Sequence, residues 1–238
     1  MLFYYIRHAD PIYQPDSITP LGARQAEALA KRLALFGLDK IYVSTSNRAI
    51  QTAQPTCELL KIVPELLDFC NESYAFNEFS IIDEQGKKRW IFEDARYRRL
   101  LASAEVRQLG DKWYMHPVFG EEKFRSGIER IHREADRFLL SLGYEHDINE
   151  SVYKVVRPNN DRVALFAHAG FGILFLSYVL DISFPEFSIH FDMCHTGMTV
   201  IEFAEVEGYA IPKVKVWSDD AHLYREGLPL NYNNRLRF

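Results

Sequence analysis

The sequence predicts an α/β fold in which a mostly parallel sheet is flanked by helices. Short apolar runs, typical of strands buried on both faces, occur at 2–6, 40–45 and 162–168. A helical pattern follows each run, and this alternation of strand and helix favours parallel pairing. A charged and aromatic stretch at about 72–160 interrupts the alternation, and we expect it to form a largely helical insertion.

The first strand–helix unit has clear boundaries. The strand is LFYYI (2–6), and the helix that follows has Thr19 as a suitable N-cap. Pro20 fits the first helical position and Gly37 fits the position just past the end. Apolar residues at helical spacing predict one buried face, formed by Ala26, Leu29, Leu33 and Phe36.

The second strand–helix unit follows directly. KIYVST (40–45) is the strand, and residues 46–61 form the helix, with Ser46 as a plausible cap. Pro55 lies inside the helical pattern. Because proline lacks an N–H group and its ring clashes with the preceding turn, we expect a kink or a break there.

The rest of the chain contains one long amphipathic helix and three further strands. Residues 149–162 read as a hairpin or loop, and an apolar helix follows the strand at 162–168. Strands are predicted at 197–205 and 210–218, joined by a turn at EGY. The long helix is predicted at 121–140, with an apolar face made of Phe124, Ile128, Ile131, Ala135, Phe138 and Leu139.

Length, charge and cysteine content limit the classes of function. The 238 residues fit a single domain, 1–238, with the insertion at about 72–160. A net charge of −5 argues against nucleic-acid binding. Three scattered cysteines suggest neither a disulfide framework nor a cysteine-rich metal site. The longest apolar stretch, 171–180, is too short to span a bilayer, so no membrane association and a cytoplasmic location are expected.

Cationic and imidazole side chains follow three of the predicted strands. Arg7 and His8 end the first strand, Arg48 lies in the first helical turn after the second, and His168 ends a later one. Ligands of open α/β sheets bind beyond the carboxyl ends of the strands. We therefore expect these four residues to meet in one phosphate site.

Such a group of residues can transfer a phosphoryl group. Two arginines and one histidine would neutralise the phosphoryl charge, while the other histidine attacks phosphorus and forms a phosphohistidine. Side chains then supply the cations, so neither a metal nor another cofactor is expected. The leaving oxygen needs a proton donor, and the segment after the third short strand offers Glu72 and Glu78.

Four motifs together resemble the histidine phosphatase superfamily, which includes phosphoglycerate mutases and fructose-bisphosphate phosphatases. They are RHA after the first strand, TPLGARQA, STSNRAIQTA and FAHAGFG, and HTGMTVIEF and DDAHL match the closing pattern of the family. The resemblance covers roughly 2–62 and 162–222. It implies a three-layer, phosphoglycerate mutase-like core.

The resemblance also implies roles for individual residues. His8 would be the phosphorylated nucleophile, and Arg7, Arg48 and His168 would form the phosphate pocket. The position of the family's proton donor corresponds to Glu78, with Glu72 as an alternative. Ala9 stands where the family usually has glycine. The implied enzyme is a phosphatase acting on a small-molecule phosphomonoester through phosphohistidine on His8, and a homo-oligomer is compatible with it.

Other functions remain open at this point. One alternative is a phosphoglycerate mutase-type phosphotransferase, and another is a catalytically silent phosphate-binding module. A third is a metal-dependent hydrolase built on His190, Asp192 and His195, whose close spacing could bind a metal. His222 is expected to be structural. Aromatic and basic residues of the insertion form either a substrate lid or an ordinary solvated face, namely Trp90, Arg96, Tyr97, Arg98, Arg99 and Trp113.

Overall fold

The computed structural model describes residues 1–120 and 122–230, which divide into two compact units. The first unit comprises Met1–Asn71, Pro158–Ala169 and the segment from Met193 onward. The second comprises Glu72–Arg157 and Gly170–Asp192. The first segment of this unit lies within the stretch at about 72–160, whose assignment as an insertion stays a prediction. The second unit also includes the apolar helix predicted after the strand at 162–168.

The strands of the described residues are mostly short. They are β1 (Leu2–Arg7), β2 (Pro11–Tyr13), β3 (Asp16–Ile18), β4 (Lys40–Ser44), β5 (Glu65–Leu67), β6 (Ser80–Ile82), β7 (Lys88–Trp90), β8 (Tyr144–Asp147), β9 (Val152–Val155), β10 (Arg162–Ala167), β11 (Met198–Glu202), β12 (Glu205–Val206), β13 (Tyr209–Ala210) and β14 (Lys213–Asp219).

The helices range from one turn to more than five turns. They are α1 (Pro20–Phe36), α2 (Asn47–Leu60), α3 (Glu72–Phe79), α4 (Ala95–Leu101), α5 (Ala104–Gln108), α6 (Glu122–Ser141), α7 (Ala169–Val179), α8 (Phe184–His190) and α9 (Ala221–Arg225). Short 3₁₀ segments lie at Asp68–Cys70 and Gly110–Met115.

A six-stranded sheet forms the centre of the first unit, in the order β14-β11-β1-β10-β4-β5. The neighbours β1, β10, β4 and β5 pair in parallel, whereas β11 runs antiparallel to both β1 and β14. The predicted mostly parallel sheet flanked by helices is therefore confirmed. It places the ends of β1, β4 and β10 and the beginning of β11 at the same edge.

The helix α1 is bounded by the residues that the sequence indicated. The side chain of Thr19 accepts a hydrogen bond from Gly22 N–H, Pro20 opens the helix, and Gly37 ends it with φ of 73°. Phe36 differs from its prediction. It was expected on the buried face but is 42% exposed, and the Arg32 guanidinium lies over its ring, 5.9 Å from the ring centroid.

The helix α2 continues through Pro55 without a break, contrary to one of the two outcomes expected for that residue. Three small side chains on its inner face, Ala49, Ala53 and Cys57, pack into the core beside β4 and β10. This burial offsets the hydrogen bond that proline cannot donate, because tertiary packing supplies most of a helix's stability.

The second unit contains the predicted amphipathic helix and hairpin. The six apolar residues predicted for the inner face of α6 are all buried. The strands β8 and β9 form an antiparallel hairpin, with Tyr144 opposite Val155. Trp113 is fully buried among other aromatic rings, including Phe119, Phe124 and Phe184. Trp113 is therefore part of the core of this unit and does not belong to a substrate lid or a solvated face.

His146 in β8 lies between two carboxylates, and this arrangement makes stability depend on pH. Its Nδ1 is 3.4 Å from Asp136 and its Nε2 is 3.1 Å from Asp181, while its ring stacks on Tyr153. Burial lowers the pKa of His146, but the two carboxylates outweigh this effect and raise the pKa to about 9.

We expect the unfolding free energy to fall by about 2 to 3 kcal/mol as pH rises from about 6.5 to about 9. Because the pKa is higher in the folded state, protonated His146 contributes its full stabilisation below the pKa of the unfolded state. That contribution is lost as pH rises through the pKa of the folded state. Urea unfolding of the wild type and of His146→Gln across this range measures the effect. A wild-type curve parallel to that of the variant would contradict it.

None of the helices in the described parts of the chain has both the length and the apolar character needed to cross a bilayer. The three cysteines are buried thiols.

Candidate active site

Arg7 and His8 lie at the carboxyl end of β1, in the middle of the sheet. The backbone N–H of His8 donates to Ala167 O at 2.9 Å, which continues the pairing of β1 with β10 by one residue. Both side chains are 1% exposed. A guanidinium and an imidazole so deeply buried require partners, because an unpaired charge in a protein interior is strongly destabilising.

The His8 ring is held in the form that a nucleophile needs. Its Nδ1 lies 2.8 Å from Ala9 O, which can only accept, so the proton is on Nδ1 and the lone pair is on Nε2. Burial lowers the pKa of His8 well below its usual value, and the charges of His168, Arg7 and Arg48 lower it further. His8 is therefore neutral at physiological pH.

His168 lies beside His8, with 5.2 Å between the ring centroids. The hydroxyl oxygens of Ser44 and Ser46 are 2.8 and 3.2 Å from its Nε2, and the Tyr5 hydroxyl donates to its carbonyl at 2.6 Å. Burial, Arg48 and Arg7 lower the pKa of His168 as well. The two histidines predicted from separate strand ends thus meet in one place.

Arg48 lies in the first turn of α2, as predicted. Its Nη1 is 2.7 Å from Asp16 in the hairpin that follows His8, and its guanidinium lies 5.4 Å from the Tyr13 ring centroid. Its charge contributes to the low pKa values of His8 and His168. The structure therefore brings Arg7, His8, Arg48 and His168 together, as expected.

Ala9 fits its position without strain. It is absent from the residues with positive φ, so its backbone does not need glycine. Its N–H donates to Thr52 Oγ1 at 2.9 Å, and the Thr52 hydroxyl donates to Arg48 O at 2.7 Å. Thr52 thus connects the chain after His8 to the turn that carries Arg48.

Gly22 allows α1 to pack closely against the same loop. A Cβ at this position would lie 2.5 Å from Asp10 O and 3.0 Å from Ile18 Cβ. Because a backbone carbonyl cannot rotate away, we expect Gly22→Ala to cost about 1 to 3 kcal/mol and to lower kcat by displacing His8. Thermal unfolding and steady-state kinetics measure both effects. Arg24→Ala, on the exposed side of the same helix, is the control and should change neither.

His195 is a site residue whose position the sequence analysis did not predict. Its ring centroid is 5.8 Å from that of His8, and its Nε2 is 2.8 Å from Arg7 Nη2. Its Nδ1 is 3.5 Å from Asp10 Oδ1. Both ring nitrogens thus face residues of the RHAD segment, which argues against the metal-hydrolase hypothesis that used His195. His195 begins the motif HTGMTVIEF, but that motif did not indicate contacts with Arg7 and Asp10.

The two candidate proton donors have different surroundings within the second unit. Both carboxylate oxygens of Glu78 accept hydrogen bonds from the guanidinium of Arg130, at 2.7 and 2.5 Å. Glu72 begins α3, and its Oε1 accepts from Gly170 N–H at 3.0 Å. Gly170 follows His168 by two residues along the chain. Trp90 packs against Gly170, where a Cβ would clash with the indole ring.

His222 has the structural role that the sequence suggested. Its Nε2 is 2.9 Å from Thr196 Oγ1, and burial, with a contribution from Arg32, lowers its pKa to about 4. Arg32 and Asp219 form a two-pronged ion pair nearby. The contact between His222 and Thr196 attaches α9 to the turn that precedes β11, and the ion pair attaches α1 to the end of β14.

Comparison with known proteins places this arrangement in a family. The model of the histidine phosphatase superfamily (branch 1) matches residues 6–139. No curated protein matches the chain.

Two solved structures illustrate the similarity of fold. A phosphoserine phosphatase mutant from Entamoeba histolytica, in complex with phosphoserine, is 18% identical; the match covers 93% of this chain and 98% of that one, with a TM-score of 0.59. A mycobacterial glucosyl-3-phosphoglycerate phosphatase in complex with VO3 is 19% identical over 91% and 98% of the two chains, also with a TM-score of 0.59. At these identities the similarity establishes the fold.

Proposed function

The chain belongs to the histidine phosphatase superfamily and is a phosphatase, and we propose that it hydrolyses a phosphomonoester through a phosphohistidine on His8. The observation that carries this proposal is the neutral, Nδ1-protonated His8, buried between two arginines and His168. Such an imidazole presents its Nε2 lone pair to phosphorus, and the surrounding cations stabilise the phosphoryl charge.

The proposed first step transfers the phosphoryl group to His8. Nε2 forms a bond to phosphorus while the bond to the ester oxygen breaks. The electron pair of the breaking P–O bond goes to the leaving oxygen, which takes a proton from a carboxylic acid. Arg7, Arg48 and His168 bind the three remaining phosphoryl oxygens. In the second step a water molecule attacks phosphorus, gives its proton to the carboxylate, and the P–N bond returns its pair to Nε2.

We propose Glu72, the alternative left open by the sequence, as the proton donor in preference to Glu78. Both oxygens of Glu78 are occupied by Arg130, so a proton on either would break the ion pair. The Oε1 of Glu72 instead accepts a hydrogen bond from the backbone N–H of Gly170. Gly170 follows His168 by two residues along the chain, which supports Glu72 as the proton donor.

The rest of the proposal concerns substrate and setting. The solved relatives include enzymes named for phosphoserine and for glucosyl-3-phosphoglycerate, which are small anionic phosphate esters. We infer a small-molecule phosphate ester as the substrate. We retain as parts of the proposal a mechanism without metal or other cofactor, no nucleic-acid partner, a cytoplasmic location and compatibility with a homo-oligomer.

Hydrolysis of p-nitrophenyl phosphate in excess chelator tests the proposal, followed by a panel of phosphorylated metabolites with phosphate release as the readout. We expect activity that the chelator does not reduce. No activity between about pH 5 and 8, where histidine titrates, would instead support the silent phosphate-binding module. Interconversion of phosphoglycerates without phosphate release would support the mutase alternative.

A further inference from the structure

The guanidinium of Arg7 is held by two groups that come from the chain just before β11. Its Nη1 donates to Met193 O at 2.5 Å and its Nη2 contacts His195 Nε2 at 2.8 Å. Contacts at both terminal nitrogens fix the rotation of the guanidinium plane. The orientation of that plane decides whether arginine can bind two phosphoryl oxygens at once.

The contact between Arg7 and His195 determines which nitrogen of His195 carries the proton. A guanidinium has only N–H donors, so His195 Nε2 must accept, and the proton of the neutral ring lies on Nδ1. That nitrogen faces Asp10 Oδ1 at 3.5 Å, within electrostatic range of the carboxylate. The carboxylate is itself oriented, because the Thr19 hydroxyl donates to its other oxygen at 2.7 Å.

The backbone beside His195 is also constrained. Thr196 adopts φ of 56°, a conformation that branched side chains rarely take, and its N–H donates to His8 O at 3.3 Å. Its hydroxyl donates to His195 O at 2.7 Å and lies 2.9 Å from His222 Nε2. Strain of this kind persists only where the surroundings hold it, and these hydrogen bonds of Thr196 restrain the backbone that carries His195.

We propose that His195 is a positioning residue that orients the Arg7 guanidinium toward the phosphoryl group. In this proposal Asp10 keeps His195 in the tautomer whose Nε2 accepts a hydrogen bond from Arg7. This inference rests on the proposed function. The three residues form a relay in which a carboxylate orients an imidazole and the imidazole orients a guanidinium. Outer groups that orient a binding residue in this way commonly contribute 10- to 100-fold to activity in metal sites, and the same reasoning applies here.

Substitutions at His195 can show whether the position of its hydrogen-bond acceptor matters, separately from the volume of the side chain. The oxygen of glutamine reaches about as far as Nε2, whereas the oxygen of asparagine reaches only as far as Nδ1, and leucine has no acceptor. We expect His195→Asn and His195→Leu to lower kcat for p-nitrophenyl phosphate by about 10- to 100-fold, with a smaller change in KM. His195→Gln should retain most of the wild-type kcat.

Inhibition provides a second readout that a merely structural role would not produce. Vanadate adopts the five-coordinate geometry of phosphoryl transfer, whereas inorganic phosphate stays tetrahedral. Because Arg7 must be aimed at the transferring group, His195→Leu should weaken vanadate inhibition more than phosphate inhibition. Thermal unfolding of each variant shows whether it is folded.

Asp10→Ala completes the test through a double-mutant cycle. We expect it to lower kcat several-fold in the wild type and to have less effect in His195→Gln, because glutamine has no tautomer to fix. Asp10→Ala also removes the hydrogen bond from Thr19. Any loss of kcat from that change is the same in the wild-type and His195→Gln backgrounds, so it cancels in the comparison.

The inference is overturned by equal losses in the glutamine and leucine variants, by wild-type kcat in the leucine variant, or by equal costs of Asp10→Ala in the two backgrounds. If the leucine variant does not fold, the glutamine–asparagine comparison and the cycle still decide. A wild-type protein without phosphatase activity would contradict the proposed function instead.

Discussion

Replacement of His8 by alanine is expected to lower kcat by about 10⁵- to 10⁶-fold, the scale seen when a catalytic nucleophile is removed. The variant should also incorporate no acid-labile, alkali-stable phosphate when it is mixed with substrate and quenched. Both effects follow from the loss of Nε2, which alone forms the bond to phosphorus. Rapid-quench labelling and steady-state kinetics measure them.

His190→Ala is the matched control for this experiment. His190 is an exposed histidine at the end of α8, so its removal should leave turnover and labelling unchanged. That result would also count against the metal-dependent alternative, which needs His190. Wild-type turnover in His8→Ala would rule out the proposed nucleophile.

Glu72→Gln is expected to slow hydrolysis of alkyl phosphates by about 10²- to 10⁴-fold, the usual contribution of general acid catalysis. An alkoxide is a poor leaving group and needs the proton, whereas p-nitrophenolate leaves readily without one. The loss with p-nitrophenyl phosphate should therefore be much smaller. The ratio of kcat values for the two esters is the measurement.

Glu78→Gln distinguishes the two carboxylates. It removes the charge that pairs with Arg130, so we expect a modest loss of thermal stability and an unchanged ratio between the two esters. If Glu78→Gln changes the ratio and Glu72→Gln does not, the proton donor is Glu78, as the resemblance first implied. Equal losses on both esters in both variants would point to a water molecule.

Much of the fold and the proximity of four candidate site residues could be predicted, because both depend on simple regularities. Parallel strands all end at one edge of a sheet, so residues that follow β1, β4 and β10 must approach one another. Arg7, His8 and His168 come from such strand ends, and Arg48 follows β4 by one helical turn. Capping and periodicity fixed α1 and α6 to within a residue or two.

His195 could not be predicted by the same rule, for a topological reason. It precedes β11, which runs antiparallel to β1, so the amino end of that strand reaches the edge where β1 ends. The direction of β11 cannot be read from its apolar pattern. The roles of Ser44 and Ser46 were also missed, because a serine at a strand end or helix start is ordinary in either position.

The choice between Glu72 and Glu78 depends on tertiary contacts that spacing does not reveal. Both residues lie in α3, and only the approach of Arg130 in α6 and of Gly170 in α7 gives them different surroundings. For a similar reason, the sequence did not predict that α7 belongs to the second unit. An apolar helix that follows a core strand gives no sign in its sequence that it packs with the insertion.

The position of β1 in the sheet has a consequence for how activity is gained during folding. Its partners are β10, where Leu2 pairs with Arg162, and β11, where Leu2 pairs with Glu202. Closing such long loops carries an entropic cost and slows folding, so β1 can complete its pairing only when residues up to 202 are available. A chain that lacks β10 and β11 therefore cannot assemble the candidate site around His8, and recovery of turnover after refolding is expected to report completion of the central sheet rather than of any local segment.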